Sequence, residues 1–163
     1  ANLKYWYYFV NTDADQAKFT IEYDRGSGTK RANLYASVSY VQSEIAKFML
    51  RADLYRYATS RIEEPWHRPT YRVTANAFYD LYHKFLFNLD IIAQGGMKAQ
   101  APVTHEEVKL DAAFDLNFKT EYLFSESFSA FIQLNNIASS KYPVYLNYPV
   151  RGFQFMGGIT WSF

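Results

Sequence analysis

A two-residue alternation running from Val108 to Phe124 constrains this chain more than any other feature. Val108, Leu110, Ala112, Phe114, Leu116, Phe118, Tyr122 and Phe124 share one parity, while Lys109, Asp111, Asp115, Asn117, Lys119 and Glu121 share the other. Successive side chains of a β-strand point to opposite faces, so the pattern predicts one strand with an apolar face and a charged face. It is far longer than the ~5–6 residues of an ordinary globular strand. It suits the roughly 9–11 residues that a strand needs to cross a bilayer, plus its ends.

The same alternation recurs along the chain. Phe85, Phe87, Leu89, Ile91 and Ala93 oppose Lys84, Asn88, Asp90 and Gln94, and Tyr71, Val73, Ala75, Ala77 and Tyr79 oppose Arg72, Thr74, Asn76 and Asp80. Phe48, Leu50, Ala52 and Leu54 oppose Lys47, Arg51 and Asp53, and Leu34, Ala36, Val38 and Tyr40 oppose Asn33, Ser37 and Ser39. Phe19, Ile21 and Tyr23 alternate with Lys18, Thr20, Glu22 and Asp24; Phe128, Ala130, Ile132 and Leu134 alternate with Ser129, Gln133 and Asn135. Phe153, Phe155, Ile159, Trp161 and Phe163 close the series against Gln154, Thr160 and Ser162. The first segment, Leu3 to Val10, is aromatic on both parities, so its faces are not assigned. The pattern predicts about nine strands in series.

The connections alternate too. Short polar turns fall at Asn11–Gln16, Gln42–Ile45, Asp80–Lys84 and Ser125–Ser127, and longer loops at Asp24–Lys30, Thr59–Thr70, Gln94–Glu106 and Ser140–Val150. All five prolines (Pro65, Pro69, Pro102, Pro143 and Pro149) sit in the long loops, as expected of residues that cannot donate to a sheet ladder. Short turns at one end and long loops at the other are the asymmetry of an outer-membrane barrel, turns periplasmic and loops extracellular. On that orientation the last strand ends with Phe163 at the periplasmic face.

Composition supports a membrane rather than a soluble reading. The chain holds 15 Tyr and 14 Phe among 163 residues, and an eight-stranded soluble barrel would be overpacked by so many rings. Tyr40, Phe48, Tyr79, Phe85, Tyr122, Phe124, Phe128, Trp161 and Phe163 gather beside the short turns, the sequence image of an aromatic girdle. The apolar parity, including Phe85, Phe87, Leu89, Phe114, Leu116, Phe118, Ile132, Phe155 and Ile159, is expected to face lipid. The polar parity, including Arg51, Asp53, Asp90, Lys109, Asp111, Asp115 and Lys119, is expected to line a wet lumen, chiefly as a solvated wall of cross-strand charge pairs. A net charge of +1 argues against nucleic-acid binding, and the absence of cysteine removes thiolate chemistry.

The C-terminal end carries the most specific motifs. Gly158-Ile159-Thr160-Trp161-Ser162-Phe163 fits Gly-x-x-aromatic-x-aromatic and resembles the terminal signal that outer-membrane barrels present to the barrel-assembly machinery. Gln133-Leu134-Asn135-Asn136-Ile137, Lys141-Tyr142, Tyr148-Pro149-Val150-Arg151-Gly152-Phe153 and the final Gly-rich aromatic strand together resemble the C-terminus of TonB-dependent outer-membrane receptors. The Pro-Val-Arg-Gly-Phe form is similar to that of receptors from the Bacteroidetes group. The resemblance covers about a fifth of the chain and implies a barrel of about 22 strands, wide enough to need a plug. It also implies an upstream plug domain and a segment that engages TonB, neither of which lies in this sequence, and an odd strand count agrees with N-terminal strands being absent as well. The function implied is uptake of a scarce nutrient: a siderophore, metal complex, glycan or peptide.

Catalytic and metal chemistry find little footing. His67, His83 and His105 show no metal-ligand spacing, and Glu63-Glu64 and Glu106-Glu107 read as solvated loop charge. Neither a cofactor nor an enzyme activity is expected. Trp66, Arg68, Tyr145 and Tyr148 are the loop side chains best suited to touch a ligand or partner. Two other readings stay open: a receptor-like barrel serving as a scaffold in an outer-membrane complex, and a small self-contained barrel acting as an adhesin or an enzyme, with His67 or His105 beside Ser60 or Asp111.

Overall fold

The computed structural model describes residues 4–10, 17–23, 29–60, 62–101, 104 and 106–162, and among these every regular element is a strand. Their ranges are β1 Lys4–Val10, β2 Ala17–Tyr23, β3 Lys30–Gln42, β4 Ala46–Ala58, β5 Tyr71–Leu81, β6 Phe85–Gly95, β7 Lys98–Gln100, β8 Glu107–Lys109, β9 Ala113–Leu123, β10 Phe128–Asn135, β11 Pro143–Tyr145, β12 Tyr148–Pro149 and β13 Gln154–Trp161. No helix among the described residues is long and apolar enough to cross a membrane.

Seven strands form one antiparallel sheet in the order β13-β10-β9-β6-β5-β4-β3, open at both edges. β1 and β2 pair with each other in a ladder of their own, from Lys4↔Tyr23 to Val10↔Ala17. The nine long strands read from the alternation are all present, and the fold is all-β and antiparallel as expected. Short turns join β3 to β4, β5 to β6 and β9 to β10 at one end, and the long connections lie at the other. In the β5–β6 turn Tyr82 and His83 both adopt positive φ, 58° and 54°, the primed geometry that matches the twist of adjoining strands. The turns expected at 11–16 and in 24–28 lie outside the described residues.

Register brings the alternation into line across the sheet. Val38 pairs with Leu50, Leu50 with Ala75, Ala75 with Ile91, and Ile91 with Leu116, so one apolar parity continues from strand to strand on a single face. At β10 and β13, Leu134 sits opposite both Phe118 and Phe155, and Ala130 opposite Ile159. A one-residue slip anywhere would put charged side chains into this face, which is why the pattern specifies the register so strongly.

The sheet is a single layer, and its apolar face is left open: Leu34 is 72% exposed, Val38 65%, Phe155 63% and Ile159 71%. Each such side chain gains roughly 1.5–3 kcal/mol when it leaves water. The buried apolar core lies elsewhere, beyond the long-loop end, where Met97, Ala99, Leu110 and Ala113 pack together with Tyr142 and Leu146 against them.

That core explains two departures from the sequence reading. The strand expected over 108–124 is broken: β8 stops at Lys109, β9 restarts at Ala113, and Leu110 donates its N–H to the carbonyl of Met97 at 3.0 Å. Burying Leu110 beside Met97 and Ala99 outweighs continuing the ladder, so Lys109 and Asp111 stand outside the seven-stranded sheet rather than on its polar face. The second departure concerns the loops, which contain the small ladders β7–β8 and β11–β12. Pro143 and Pro149 therefore sit in strands, paired with each other. An isolated two-stranded ladder is all edge, where proline's missing N–H costs little.

Candidate functional site

The polar parity forms a wall of mutually paired groups on the face opposite the apolar one. On β4, Arg51 holds Asp53 through two bonds, Nε–Oδ2 at 2.7 Å and Nη2–Oδ1 at 2.8 Å, while Asn33 of β3 donates to Asp53 Oδ1 at 3.1 Å. Asp53 is buried under this cover, and Tyr35 places its ring 4.3 Å from the Arg51 guanidinium carbon. Asn76 of β5 donates to Asp90 of β6. On β9 and β10, Lys119 reaches Glu121 at 3.1 Å and Ser129 donates to Glu121 at 2.6 Å. Opposite charges and amides at cross-strand and same-face positions satisfy one another here, so much of the wall's charge is paired within the sheet.

Of the residues expected to line a lumen, Arg51, Asp53, Asp90, Asp115 and Lys119 share this face. Phe85, Phe87, Leu89, Phe114, Leu116, Phe118, Ile132, Phe155 and Ile159 share the other. At the short-turn end of the apolar face the rings run in contact from strand to strand. Phe85 meets Tyr122 at 4.7 Å, Tyr122 meets Phe124 at 4.6 Å, Phe124 meets Phe128 at 5.0 Å and Phe128 meets Trp161 at 5.5 Å. Trp161 is exposed on this face. Gly158 lies on the polar face under the ring of Phe131, where a Cβ would come within 2.8 Å of Phe131 Cε1. Phe163 lies outside the described residues.

The long loops close over one end of the wall. Lys98 of β7 bridges Glu64 at 2.7 Å and Glu107 at 2.9 Å, and these two carboxylates raise its pKa. The ring of His67 lies 5.2 Å from that of Tyr145, and its Nε2 accepts the Leu146 N–H at 3.4 Å, while the His67 N–H donates to the Lys98 carbonyl at 2.7 Å. Burial, with Arg68 alongside, lowers its pKa below the ordinary 6.5. His67 thus ties three loops together, and His83 instead faces Asp80 at 2.7 Å on a short turn. His105 lies outside the described residues.

Trp66, expected as an exposed loop side chain, is instead buried, at 4% exposure. An indole carries too much apolar surface to stand free when a neighbouring loop can cover it. Tyr145 and Tyr148 are exposed, and Arg68 is half-buried beside a cavity of about 230 Å³ that Tyr55, Tyr57, Glu64 and Lys98 also line.

The sequence reading left several polar-wall residues without a role. Asn136 is the chief of them. It is 5% exposed and its side chain donates to the carbonyls of Ser140 (3.0 Å) and Arg151 (2.8 Å) while accepting the Ser140 N–H (3.0 Å). Its own N–H donates to Asn117 Oδ1 at 3.0 Å. Asn136 also adopts φ 48°, a conformation that asparagine tolerates better than most residues. The paired asparagines of the motif are visible in the sequence, but one carbonyl that Asn136 binds, that of Arg151, is fifteen residues away. Tyr142 was a motif residue as well. Its hydroxyl donates to Asp115 at 3.2 Å, and burial followed by that carboxylate pushes the phenol up.

No family model matches the chain, and no curated protein matches it. Its fold is similar to that of a chain in the structure of the FpvAI–pyocin S2 complex, with TM-score 0.71 and 12% identity over 89% of this chain and 20% of that one. It is also similar to the ferripyoverdine receptor of the outer membrane of Pseudomonas aeruginosa bound to ferripyoverdine, with TM-score 0.68 and 12% identity over 94% of this chain and 21% of that one. The chain spans about a fifth of the length of these structures. At such low identity the likeness shows the fold, an antiparallel wall of the outer-membrane β-barrel kind.

Proposed function

We propose that this chain is part of the C-terminal wall of a TonB-dependent outer-membrane receptor that takes up a scarce nutrient. The observation that carries the reading is the two-faced single layer. One face presents aligned Phe, Leu, Ile and Val that no described residue covers; the other carries paired charges and amides. Only a solvent that is lipid on one side and water on the other suits both faces at once. The terminal motifs and the fold shared with the ferripyoverdine receptor support the receptor assignment. On this reading the short turns are periplasmic, Phe163 ends at the periplasmic face, and Gly158, Trp161 and Phe163 present the assembly signal to the barrel-assembly machinery. A plug upstream would fill the lumen and engage TonB.

The test uses the full-length protein folded into lipid vesicles, with heat-modifiable gel mobility as the readout. Leu89→Arg places a charge in mid-strand on the apolar face and is expected to cost about 2–4 kcal/mol of folding stability. Asn88→Glu, one residue away on the polar face and directly opposite Lys119, is expected to fold like the parent. Equal tolerance of the two would overturn the membrane assignment. Retention of the folded protein on an immobilised TonB C-terminal domain tests the receptor assignment separately, and passage without retention would remove it while leaving the barrel in place.

A further inference from the structure

Between β9, β10 and β13, on the polar face and beneath the last loop, lies a cavity of about 280 Å³ lined by Asp115, Asn117, Asn135, Gln154, Tyr142 and Arg151. Three adjacent strands supply its floor, with Asn135 directly opposite Gln154 in the ladder. The last loop supplies Tyr142 and Arg151.

The hydrogen-bonding inventory of this recess does not close among the described residues. Asp115 Oδ2 accepts from the Tyr142 hydroxyl at 3.2 Å, but Asp115 Oδ1 is shut away from bulk solvent with no partner among the described residues. Asn117 spends its carbonyl oxygen on the Asn136 N–H at 3.0 Å, and Asn135 spends its own on the Gln133 amide at 2.9 Å, so the NH₂ groups of both remain to donate. An unmatched polar group away from water costs about 1–3 kcal/mol, so Asp115 Oδ1, with two amide donors open beside it, marks a place where something else completes the bonds.

The geometry points to this recess as a binding site for a neutral, polyhydroxylated small molecule of about one sugar ring. Hydroxyl groups both donate and accept, which answers a lining that offers amide donors, a carboxylate acceptor and a phenol together. One carboxylate and one guanidinium balance each other, so an anion meets Asp115 and a cation meets Arg151, each at a cost that a neutral ligand avoids. An apolar ligand would leave Asp115 Oδ1 and the two amide NH₂ groups unanswered. At about 280 Å³ the recess falls just below the roughly 300–1,000 Å³ typical of ligand pockets, which limits the occupant to a single ring. Asn136 pins the loop carrying Tyr142 and Arg151, so the site is formed before a ligand arrives and little ordering is lost on binding. The inference rests on the reading above that this face lines a water-filled lumen.

Ligand-observed saturation-transfer NMR on the full-length protein in detergent tests it, with methyl glucoside, N-acetylglucosamine and inositol as neutral probes and glucuronate and glucosamine as charged counterparts. Transfer to at least one neutral probe is expected, weakened at least tenfold by Gln154→Met and by Arg151→Met, with weaker transfer to the charged pair. Absence of transfer to every neutral probe, transfer indifferent to both variants, or preference for a charged counterpart would each overturn the site. Heat-modifiable mobility and retention on TonB are run on the same samples. If these persist while binding fails, only the site falls; if they fail, the receptor reading falls with it.

Discussion

The side-chain amide of Asn136 donates to the backbone carbonyl of Arg151 at 2.8 Å, joining the end of β10 to the approach to β13 across a loop of fourteen intervening residues. The same amide spans Ser140 in both directions, so a single buried side chain closes the last loop against the wall. Replacing Asn136 with Ala orphans two carbonyls and one N–H and is expected to cost about 2–4 kcal/mol. Urea unfolding in detergent measures this, and hydrogen exchange at the Ser140 amide should accelerate with it. Asn136→Asp keeps the acceptor for the Ser140 N–H but sets a buried carboxylate against two carbonyl oxygens, so a loss at least as large as that of Asn136→Ala is expected. Equal stability of Asn136→Ala and the parent would show that the loop is held by other contacts.

The contact between His67 and Leu146 predicts a pH dependence. The ring nitrogen Nε2 accepts a backbone N–H, which only the neutral imidazole can do, and burial with the Arg68 charge holds the pKa below 6.5. When the loops open, His67 recovers its ordinary value and binds a proton more readily than in the closed state. Closure is therefore fully favoured above pH 6.5 and is lost as pH falls through the depressed value. Limited proteolysis of the long loops should rise between pH 7 and pH 5, and His67→Gln should flatten that rise, roughly the behaviour of a residue that bonds without titrating. A loop cleavage rate that does not change with pH would count against His67 as the tie.

Gly158 and Phe131 form a steric pair that separates packing from recognition. A Cβ at Gly158 would meet the Phe131 ring at 2.8 Å, and overpacking of this kind costs about 1–3 kcal/mol. Gly158→Ala should slow barrel assembly, and Gly158→Ala combined with Phe131→Leu should restore much of it. Measured assembly rates on outer-membrane vesicles check this. Failure of the double variant to recover would mean that Gly158 is read directly by the assembly machinery rather than kept small for Phe131.

How much was legible in the sequence follows from which interactions are local. The period of two is a property of each strand alone, so the nine long strands, the two faces of all but the first and the three described short turns could be read from residue order. The aromatic run beside those turns followed from the same parity. Pairing that depends on chain closure could not be read. Nothing local distinguishes Leu110 from the other apolar residues of its parity, yet the neighbouring Met97 and Ala99 draw it into the loop core and break the strand. Trp66 looks like an exposed loop aromatic until the fold covers it. Asn136 sits in a visible motif, but its partner carbonyls are defined only once the last loop has returned. The polar recess is likewise a product of three strands and a loop meeting: each of Asp115, Asn117, Asn135 and Gln154 is an ordinary polar-face residue in sequence. What residue order determined was the wall and its two solvents, because alternation is set residue by residue. What tertiary structure decided was where the wall stops, how its loops lock and which polar groups are left to meet a ligand, because those depend on contacts between segments far apart in the chain.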